Sequence, residues 1–360
     1  MSKTLQDYAT LINDTIQSNE INHYITTDNM CQNLGGIDTF KNINIPQGKV
    51  RSFQKDDVLL SNIRLYFRKV YRAKQKDGCS SDVLVFRAKH IDSATLFAIL
   101  SSQIFTDYAC SGSQGSKMPR GNKTHMMDFK IPTINFTIAK IFNSIQNKIE
   151  NNHKINELLH KILELLYEQY FVRFDFCGKM KFSKELNRLI PNDFEVKTLG
   201  ELTQLKVGNK NANHSSNQGK YPFFTCSNNT LRCETYQFEG KHIIISGNGN
   251  FYVTHYDGKF DAYQRTYVVN PNNPNHYVLI YLFVKSYTNY LKLQSRGSII
   301  KFITKSDIEN IKIVLPNLKA YAKWNNVLKM IENNNQETQT LTTLRDFLLP
   351  LLLTQQVKPQ

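Results

Sequence analysis

The sequence contains no long apolar run. Its longest apolar stretches, Tyr277 to Val284 and Phe347 to Leu353, are far shorter than the roughly 20 residues that a helix needs to cross a bilayer. The start of the chain also joins no basic stretch to an apolar run, as a secretion signal would. We therefore expect a soluble, cytoplasmic protein.

Cysteines are few and scattered. The chain has 6 of them, with no C-x-x-C pair and no histidine nearby at the spacing of zinc ligands. They stand at Cys31, Cys79, Cys110, Cys177, Cys226 and Cys233. We expect reduced, mostly structural cysteines and no metal site.

Enzyme motifs are missing as well. No G-x-x-x-x-G-K-[ST] phosphate loop occurs, and the loop from Asn270 to Pro274 lacks the aromatic residue that follows adjacent prolines in amino-methyltransferases. Asp175 with Glu195 and Lys197 is faintly similar to the carboxylates and lysine of a metal-dependent nuclease. Asp175, however, closes a helical segment, and the other two lead into an internal repeat. The sequence therefore predicts no catalytic residues and no cofactor bound by this chain.

Basic residues are in excess. The 360 residues include 45 Lys and Arg against 30 Asp and Glu, a net charge of +15. This charge favours a phosphate-binding partner such as nucleic acid, although AT-rich genomes also raise the use of Lys. With 41% hydrophobic and 11% aromatic residues, the chain is long and apolar enough for two or three folded, β-rich domains.

An internal repeat organises the chain. Four short segments recur in the same order, and their offset falls from 194 residues between Lys3 and Lys197 to 182 between Ile149 and Ile331. The matches are Lys3-Thr4-Leu5 with Lys197-Thr198-Leu199, Val58-Leu59-Leu60-Ser61 with Ile243-Ile244-Ile245-Ser246, Ile131-Pro132 with Leu315-Pro316, and Ile149-Glu150-Asn151 with Ile331-Glu332-Asn333. A shared order with a slowly changing offset indicates two diverged copies.

Each copy begins with a β-rich part and ends with a long helix. Short β-branched and aromatic runs broken by Gly, Asn and Pro predict the strands. Apolar residues at 3-4 spacing then predict a helix of roughly 35 to 40 residues, about 55 Å long. The seam of the first helix is Phe142, Ile145, Ile149, Asn152, Asn156, Leu159, Leu163, Leu166 and Tyr170; that of the second is Trp324, Val327, Ile331, Asn334, Leu341, Leu348 and Leu352, interrupted by Thr338 and Arg345.

The predicted fold class is α+β: two mixed β-rich domains separated by two long, antiparallel, coiled-coil-like helices in a pseudo-twofold repeat. The predicted domains are a first recognition domain at 1-133, a first helix at 134-175, a linker at 176-198, a second recognition domain at 199-316 and a second helix at 317-360. Asn152 and Asn156 in the seam are either simple polar interruptions or devices that set the helix register. A rigid spacer of this length suits two DNA half-sites one turn, roughly 34 Å, apart.

The helix ends carry a family resemblance. The segments Leu166 to Asp175 and Leu344 to Leu352 resemble the central and distal conserved segments of the specificity subunits of type I restriction-modification systems. Leu199-Gly200-Glu201, the run Gly297 to Phe302 and the run Ile308 to Pro316 are similar to the start and end of their second recognition domain. The first copy departs from the pattern, with Gln6 where the second has Gly200 and with a diverged loop from Ser111 to Lys117.

This resemblance implies a non-catalytic subunit that reads a bipartite, asymmetric sequence in double-stranded DNA, one half per domain. It also implies recruitment of two methyltransferase subunits and of restriction-translocation subunits, which would bind S-adenosylmethionine, ATP and Mg. A specificity subunit of another methylation-based phage-defence system, the separate specificity subunit of a single-chain restriction enzyme and a helical protein-interaction scaffold are the alternatives.

Base reading needs side chains with paired donors and acceptors, chiefly Arg, Asn and Gln, while Lys and Ser position phosphates. Candidates in the first copy are Arg51, Asn62, Arg64, Arg68, Lys69, Arg72, Ser113, Gln114 and Lys117. Those in the second copy are Asn209, Lys210, Lys220, Asn248, Asn250, Tyr252, Arg265, Arg296, Ser298 and Lys301, of which the glycine-bracketed groups at 247-250 and 296-298 rank highest. Apolar residues beyond the needs of one seam predict a partner surface at Tyr167, Tyr170, Phe171, Phe347 and Leu351.

Overall fold

The computed structural model describes residues 3–38, 41, 43–131, 133–175, 178–216, 219–297, 300–317 and 321–353. Three residues named above, Pro132, Cys177 and Ser298, lie outside them. The chain divides into a first unit, residues 1–154 with 335–360, and a second unit, residues 155–334. No helix in the described part of the chain is both long and apolar enough to span a membrane.

The first unit combines two four-stranded sheets with a two-stranded one. Its strands are β1 Lys3–Thr4, β2 Ala9–Ile12, β3 Thr15–Gln17, β4 Tyr24–Ile25, β5 Lys49–Phe53, β6 Val58–Ser61, β7 Val70–Arg72, β8 Asp77–Cys79, β9 Val83–Ala88 and β10 Lys130–Ile131. Its short helices are α1 Leu5–Tyr8, α2 Ser93–Ser101, α3 Gln103–Ser111 and α4 Lys123–Met127, after which the long helix α5, Phe136–Tyr167, begins. The strand orders are β2-β9-β6-β7 and β3-β5-β8-β4, and β1 pairs with β10.

The second unit repeats much of this arrangement. Its strands are β11 Met180–Ser183, β12 Arg188–Pro191, β13 Glu195–Thr198, β14 Thr203–Val207, β15 Tyr221–Phe224, β16 Leu231–Cys233, β17 Lys241–Ser246, β18 Val253–Asp257, β19 Asp261–Ala262, β20 Thr266–Pro271 and β21 Lys312–Leu315. Its short helices are α6 Leu199–Leu202, α7 Tyr277–Ser286, α8 Thr288–Gln294 and α9 Lys305–Glu309, and α10, Trp324–Leu348, is the second long helix. The strand orders are β14-β20-β17-β18, β16-β15-β19, β13-β21 and β11-β12.

Topology confirms the internal repeat. The sheet β2-β9-β6-β7 of the first unit corresponds to β14-β20-β17-β18 of the second, and the pair β1 and β10 corresponds to β13 and β21. Each copy opens its first short helix with a capping box, Thr4 with Asp7 and Thr198 with Glu201. A capping box satisfies two backbone donors that the first helical turn leaves without partners. The matched tripeptides therefore mark the same structural start in both copies.

The central strands are apolar on both faces because each face packs into a different core. In β6, Val58 and Leu60 belong to a core that includes helix α2, whereas Leu59 points into a second core with Phe53 and Val85. Strand β17 does the same, with Ile243 and Ile245 on one side and Ile244 on the other. Alternation with a period of two residues thus explains why these segments are continuous apolar runs.

The prediction of a linker at residues 176-198 is wrong, because strands form there. Strands β11 and β12 form an antiparallel hairpin there, and β13 pairs along its length with β21, from Glu195 with Leu315 to Thr198 with Lys312. The second β-rich domain therefore includes β13. The first long helix continues beyond Tyr167 as a π-helical turn, Glu168–Arg173, and stops at Phe174 in the left-handed region (φ 60°), close to its predicted end at residue 175.

Polar residues of the seam pair with each other in the first unit. Asn152 Nδ2 on α5 donates to Glu337 Oε2 at 2.7 Å and to Thr338 Oγ1 at 3.3 Å. Buried Arg345 on α10 donates from Nη1 to Gln146 Oε1 at 3.2 Å. Thr338 and Arg345 thus complete the seam. Since numbering rises along one helix as it falls along the other, the two segments run antiparallel.

The second unit shows the same antiparallel pairing. Asn334 Nδ2 donates to Asn156 Oδ1 at 2.8 Å, and Asn156 Nδ2 donates to the carbonyl of Ile331 at 3.3 Å. Further along, Tyr170 contacts Trp324, with ring centroids 5.7 Å apart. Because a one-residue slip would separate these donors and acceptors, the seam asparagines act as register-setting residues.

Candidate nucleic-acid interface

Three loops meet at one surface of the second unit and form what we call the second clasp, which consists of residues 246–250, 264–265, 296–297 and 300–303. The Gly247 amide donates to the carbonyl of Arg265 at 2.7 Å, and that of Gly249 donates to the carbonyl of Lys301 at 2.8 Å. Arg296 and Phe302 exchange two backbone hydrogen bonds of 3.0 and 2.9 Å. Both glycine-bracketed groups predicted from the sequence therefore lie together, bonded through their backbones.

The first unit contains the same structure, the first clasp, at residues 61–64, 82 and 113–121. The Asn62 amide donates to the carbonyl of Asp82 at 2.8 Å, and the Arg64 amide donates to that of Pro119 at 2.9 Å. Gln114 and Arg120 exchange two backbone hydrogen bonds of 2.9 and 2.8 Å. Each bond lies 182 to 185 residues before its counterpart in the second clasp, as the repeat requires. The diverged loop at 111–117 thus keeps the same pair of backbone hydrogen bonds, and Gln114 occupies the position of Arg296.

The backbone of the second clasp requires glycine at two positions. A Cβ on Gly247 would lie 2.5 Å from the carbonyl oxygen of Arg265, a distance that no real side chain tolerates. Gly297 has a φ of +97°, and its equivalent Gly115 has a φ of +98°. This region of backbone space favours glycine strongly, so both loops turn at the same residue.

The exposed surface of the second clasp offers groups of the kind that recognise DNA. Arg296 and Lys301 are exposed cations, Arg265 is exposed beside them, and Asn250 donates from its exposed amide to the Tyr252 hydroxyl at 3.1 Å. An ion pair of 3.1 Å with Asp307 orients the Arg296 guanidinium. Arg can bind guanine and Asn can bind adenine through paired hydrogen bonds. Of the remaining predicted residues here, Asn248 is half-buried and Ser298 lies outside the described residues.

Each clasp also exposes an apolar side chain at its tip. Ile300 is 63% exposed, and Met118, at the equivalent position of the first clasp, is 55% exposed. Apolar groups at such positions suit contact with a thymine methyl group in the major groove. Neither residue was predicted from the sequence, although both are apolar and occupy equivalent positions in the repeat.

In the first clasp, Gln114 and Lys117 are exposed, as is Arg120, which the sequence analysis also missed. Arg120 forms an ion pair of 3.1 Å with Asp82. Arg64 is half-buried and donates to the carbonyl of Lys117 at 3.4 Å, which joins two parts of the clasp. The first copy therefore presents a polar, basic surface with different side chains.

Several predicted contact residues of the first copy stabilise their own unit instead. Arg51 donates to the carbonyls of Ser81 and Val83, Arg68 to that of Ser101, Lys69 to that of Thr27, and Ser113 to that of Ala109. Burial lowers the pKa of both Arg68 and Lys69. Asn62 is buried, and Arg72 lies 3.9 Å from Asp56. Arg51, Arg68, Lys69 and Ser113 therefore serve acceptors of their own unit, and their role in DNA contact stays a prediction.

The loop at 208–220 of the second unit adjoins the second clasp. The backbone carbonyl of Lys210 accepts a hydrogen bond of 2.9 Å from the amide of Gln264, the residue before Arg265. Asn209 is exposed, and the Lys220 ammonium lies 5.7 Å from the ring centroid of Tyr221. Lys210 and its neighbour Asn209 therefore border the clasp, whereas Lys220 lies just before β15, where its carbonyl accepts a hydrogen bond of 3.0 Å from Arg232 Nη2.

The predicted partner surface is wrong at two of its five residues. Tyr167 and Phe171 are buried in the main core of the second unit, and burial raises the pKa of Tyr167 to about 12. Tyr170 is half-buried against this core. Leu351 is half-buried, whereas Phe347 is 68% exposed. The aromatic residues at the end of the first helix thus anchor it within its own unit.

A different apolar surface lies on α5. Ile155, Leu158, Ile162 and Leu165 are all exposed, at spacings of three, four and three residues, and we call them the α5 stripe. This spacing aligns them along one side of a helix, as in the seam of a coiled coil. Both stripe and seam therefore follow heptad patterns on the same helix, and the sequence analysis recognised only the seam.

Fold and clasps define a duplicated protein with one exposed, largely basic loop surface in each copy. Residues 191–344 match the family model of the type I restriction modification DNA specificity domain. The specificity subunit of the type I restriction enzyme EcoDI from Escherichia coli is 38% identical over 132 residues, which cover 35% of this chain and 28% of that protein. That of MjaIX from Methanocaldococcus jannaschii is 24% identical over 292 residues, 72% of this chain and 67% of that protein.

The S subunit of a type I restriction-modification system from M. genitalium has a similar fold, with a TM-score of 0.63 and 16% identity over 99% of this chain and 96% of that one. Residues 191–344 are therefore similar to the type I restriction modification DNA specificity domain, and the fold of the chain is similar to that of an S subunit. It aligns with little more than a quarter of the EcoDI subunit, 28%, and with 67% of the MjaIX subunit.

Proposed function

We propose that this chain is the DNA-reading subunit of a type I restriction-modification complex, and that each clasp reads one half of a bipartite, asymmetric target. The observation that carries the proposal is the second occurrence of the clasp. The same backbone hydrogen bonds hold Gln114 in the first unit and Arg296 in the second, two side chains that prefer different bases. Two loops with the same backbone structure but different base-contacting side chains suit a DNA target whose two halves have different sequences.

The net charge of +15 supports the same function. Cations near the duplex release counterions from the phosphates, so binding should weaken steeply as salt rises. Methyl transfer, DNA cleavage and ATP use would belong to partner subunits, which would bind S-adenosylmethionine, Mg and ATP. We further propose that the α5 stripe receives a helix of a methyltransferase subunit, because a row of apolar residues at heptad spacing is complementary to another helix of that kind.

The test is a map of methylated adenines in cells that express the methyltransferase subunits with the wild-type chain or a variant. Arg296→Ala should weaken or relax only one half of the methylated motif, by about 1–3 kcal/mol if Arg296 reads a base. Gln114→Ala should affect only the other half. Lys184→Ala, an exposed lysine of the β11-β12 turn outside both clasps, is the control.

An unchanged motif in both clasp variants would refute reading by the clasps. A motif changed in both halves by Arg296→Ala would refute the division of labour. Equal retardation of target and scrambled duplexes by the purified complex would favour a protein-binding scaffold.

A further inference from the structure

Three chemically distinct side chains converge in the second recognition domain. His214 ends a 3-10 turn, Cys233 ends β16 and Asp261 begins β19. The His214 Nε2 atom lies 3.3 Å from Asp261 Oδ2. One nitrogen, one sulfur and one carboxylate oxygen of this group all lie within 4.8 Å of one another. This trio was not predicted, because its members are separated in sequence by 19 and 28 residues.

The Asp261 carboxylate of this cluster is buried, and one of its oxygens lacks a hydrogen-bond partner among the described residues. Asp261 and Cys233 are both fully buried, at 0% exposure. Asp261 Oδ2 accepts a hydrogen bond of 2.6 Å from the Thr235 hydroxyl, but among the described residues its Oδ1 has no hydrogen-bond partner. A buried carboxylate oxygen without a partner is costly, since neither water nor a donor compensates its charge. A cation beside it would remove that cost.

The repeat supplies an internal comparison. In the first unit, His23 Nδ1 lies 3.1 Å from Asp77 Oδ2, and β8, which begins with Asp77, pairs in parallel with β4, as β19 pairs with β15. There, both carboxylate oxygens have protein donors: Oδ1 accepts from the His23 amide at 3.1 Å and Oδ2 from the Gln75 side chain at 3.0 Å. No thiol joins this pair among the described residues. The second copy has a thiol and an unsatisfied oxygen instead.

We propose that His214 Nε2, Cys233 Sγ and the Asp261 carboxylate bind a divalent transition-metal ion of the zinc type. Mixed nitrogen, sulfur and oxygen ligands suit zinc or cobalt better than magnesium or calcium, which prefer oxygen alone. A tetrahedral ion with bonds of about 2.0–2.1 Å places its nitrogen and oxygen ligands roughly 3.3 Å apart. The observed distance from His214 to Asp261 fits this edge of the tetrahedron.

On binding, the Cys233 thiol loses its proton to solvent and its thiolate bonds to the metal. Water completes the coordination, and the Thr235 hydroxyl orients the carboxylate from outside. The ion would join the turn at 212–214 to β16 and β19. Because the same loop carries Asn209 and Lys210 at the border of the second clasp, its role would be to fix that loop.

The test uses the full-length chain, purified, stripped with a chelator and titrated with cobalt(II). The wild type should bind about one ion and develop both the near-ultraviolet thiolate-to-cobalt charge-transfer band and the visible bands of tetrahedral cobalt. Cys233→Ser should lose the charge-transfer band. His214→Gln should weaken cobalt binding by more than the roughly 10- to 100-fold that loss of an outer-shell partner costs.

Matched controls come from the first copy: Cys79→Ser and His23→Gln should leave the cobalt spectrum unchanged. Folding is checked by circular dichroism. A folded wild-type chain that gives no charge-transfer band would overturn the proposal, as would an equal band in folded Cys233→Ser. Since cobalt binding to the free chain requires neither DNA nor methyltransferase, this result is independent of the proposed function.

Discussion

Asn334 Nδ2 donates a hydrogen bond of 2.8 Å to Asn156 Oδ1 across the seam between α10 and α5 in the second unit. The seam is otherwise lined by apolar residues such as Leu163, Leu328 and Ile331, all of which are buried. A polar pair in such surroundings stabilises one helix register, because a shift of one helix along the other would leave its donors and acceptors buried without hydrogen-bond partners.

We expect Asn334→Ala and Asn156→Ala each to lower the free energy of unfolding by about 0.5–1.5 kcal/mol, the net value of a typical hydrogen bond. Because both substitutions remove the same bond, the double variant should lose less than the sum, with a coupling of about 0.5 kcal/mol or more. Denaturant unfolding of the four proteins measures this. Asn333→Ala, an exposed neighbour, should have almost no effect; additive losses would show that the pair is not coupled.

How far the sequence predicts this fold is clearest at the seam. Its 3-4 spacing correctly predicted two long helices and the buried face of each, since burial follows helical periodicity. Thr338 and Arg345 nevertheless seemed to interrupt the second seam, because periodicity does not say which residue lies opposite. Only the structure brings Arg345 to Gln146 and Thr338 to Asn152.

The candidate site also has parts that the sequence predicts and parts that it does not. Glycines at 247, 249 and 297 mark backbone constraints that are local, so both halves of the second clasp could be predicted. The internal hydrogen bonds of Arg51 and Arg68 could not be predicted, because residue type does not reveal which distant carbonyl a guanidinium will reach. Likewise, Tyr167 is buried by residues far along the chain, which no local pattern specifies.

The α5 stripe gives a prediction that separates partner binding from folding. Leu158→Lys and Leu165→Lys should abolish co-purification with the methyltransferase subunit, because a charge would enter an apolar helix interface. Both side chains are exposed, so the thermal stability of the free chain should change little. Pull-down with the tagged subunit and a melting curve provide the two measurements.

Tyr167→Lys is the contrasting variant. It places a charge in the buried core of the second unit and should unfold or severely destabilise the chain. Retained co-purification in both stripe variants would show that the partner binds elsewhere, for example around the exposed Phe347.

His160 should make the second unit sensitive to acid. Burial, followed by the charges of Lys285 and His255, lowers its pKa from 6.5 to about 4. The unfolded chain therefore binds a proton on this histidine at a higher pH than the folded chain does. The stabilising contribution is complete above about pH 6.5 and is lost as the pH falls toward 4, by at most about 3 kcal/mol.

Denaturant unfolding at pH 7 and pH 5 should show a smaller loss of stability in His160→Gln than in the wild type. The control is His90→Asn, which replaces an exposed histidine whose backbone lies in the left-handed region that asparagine tolerates. A loss in His160→Gln equal to that of the wild type would mean that this imidazole does not control the acid response.

Exchange of the second recognition domain tests whether the two clasps read independently. The pairing of β13 with β21 shows where to cut, because a graft that begins at residue 199 would omit the strand that closes the domain. Residues 195–316 should therefore be replaced by the matching segment of a relative. The new chain, expressed with the methyltransferase subunits, should methylate a motif in which one half is changed and the other is retained.

The reason is that the first clasp forms its hydrogen bonds entirely within the first unit and the second clasp within the second. The shorter graft, 199–316, is the matched comparison and should be less stable, since a host β13 must then pair with a foreign β21. Sequencing of methylated adenines gives the motif. A graft of 195–316 that changes both halves would refute independent reading, and an unchanged motif would show that base recognition lies outside this domain.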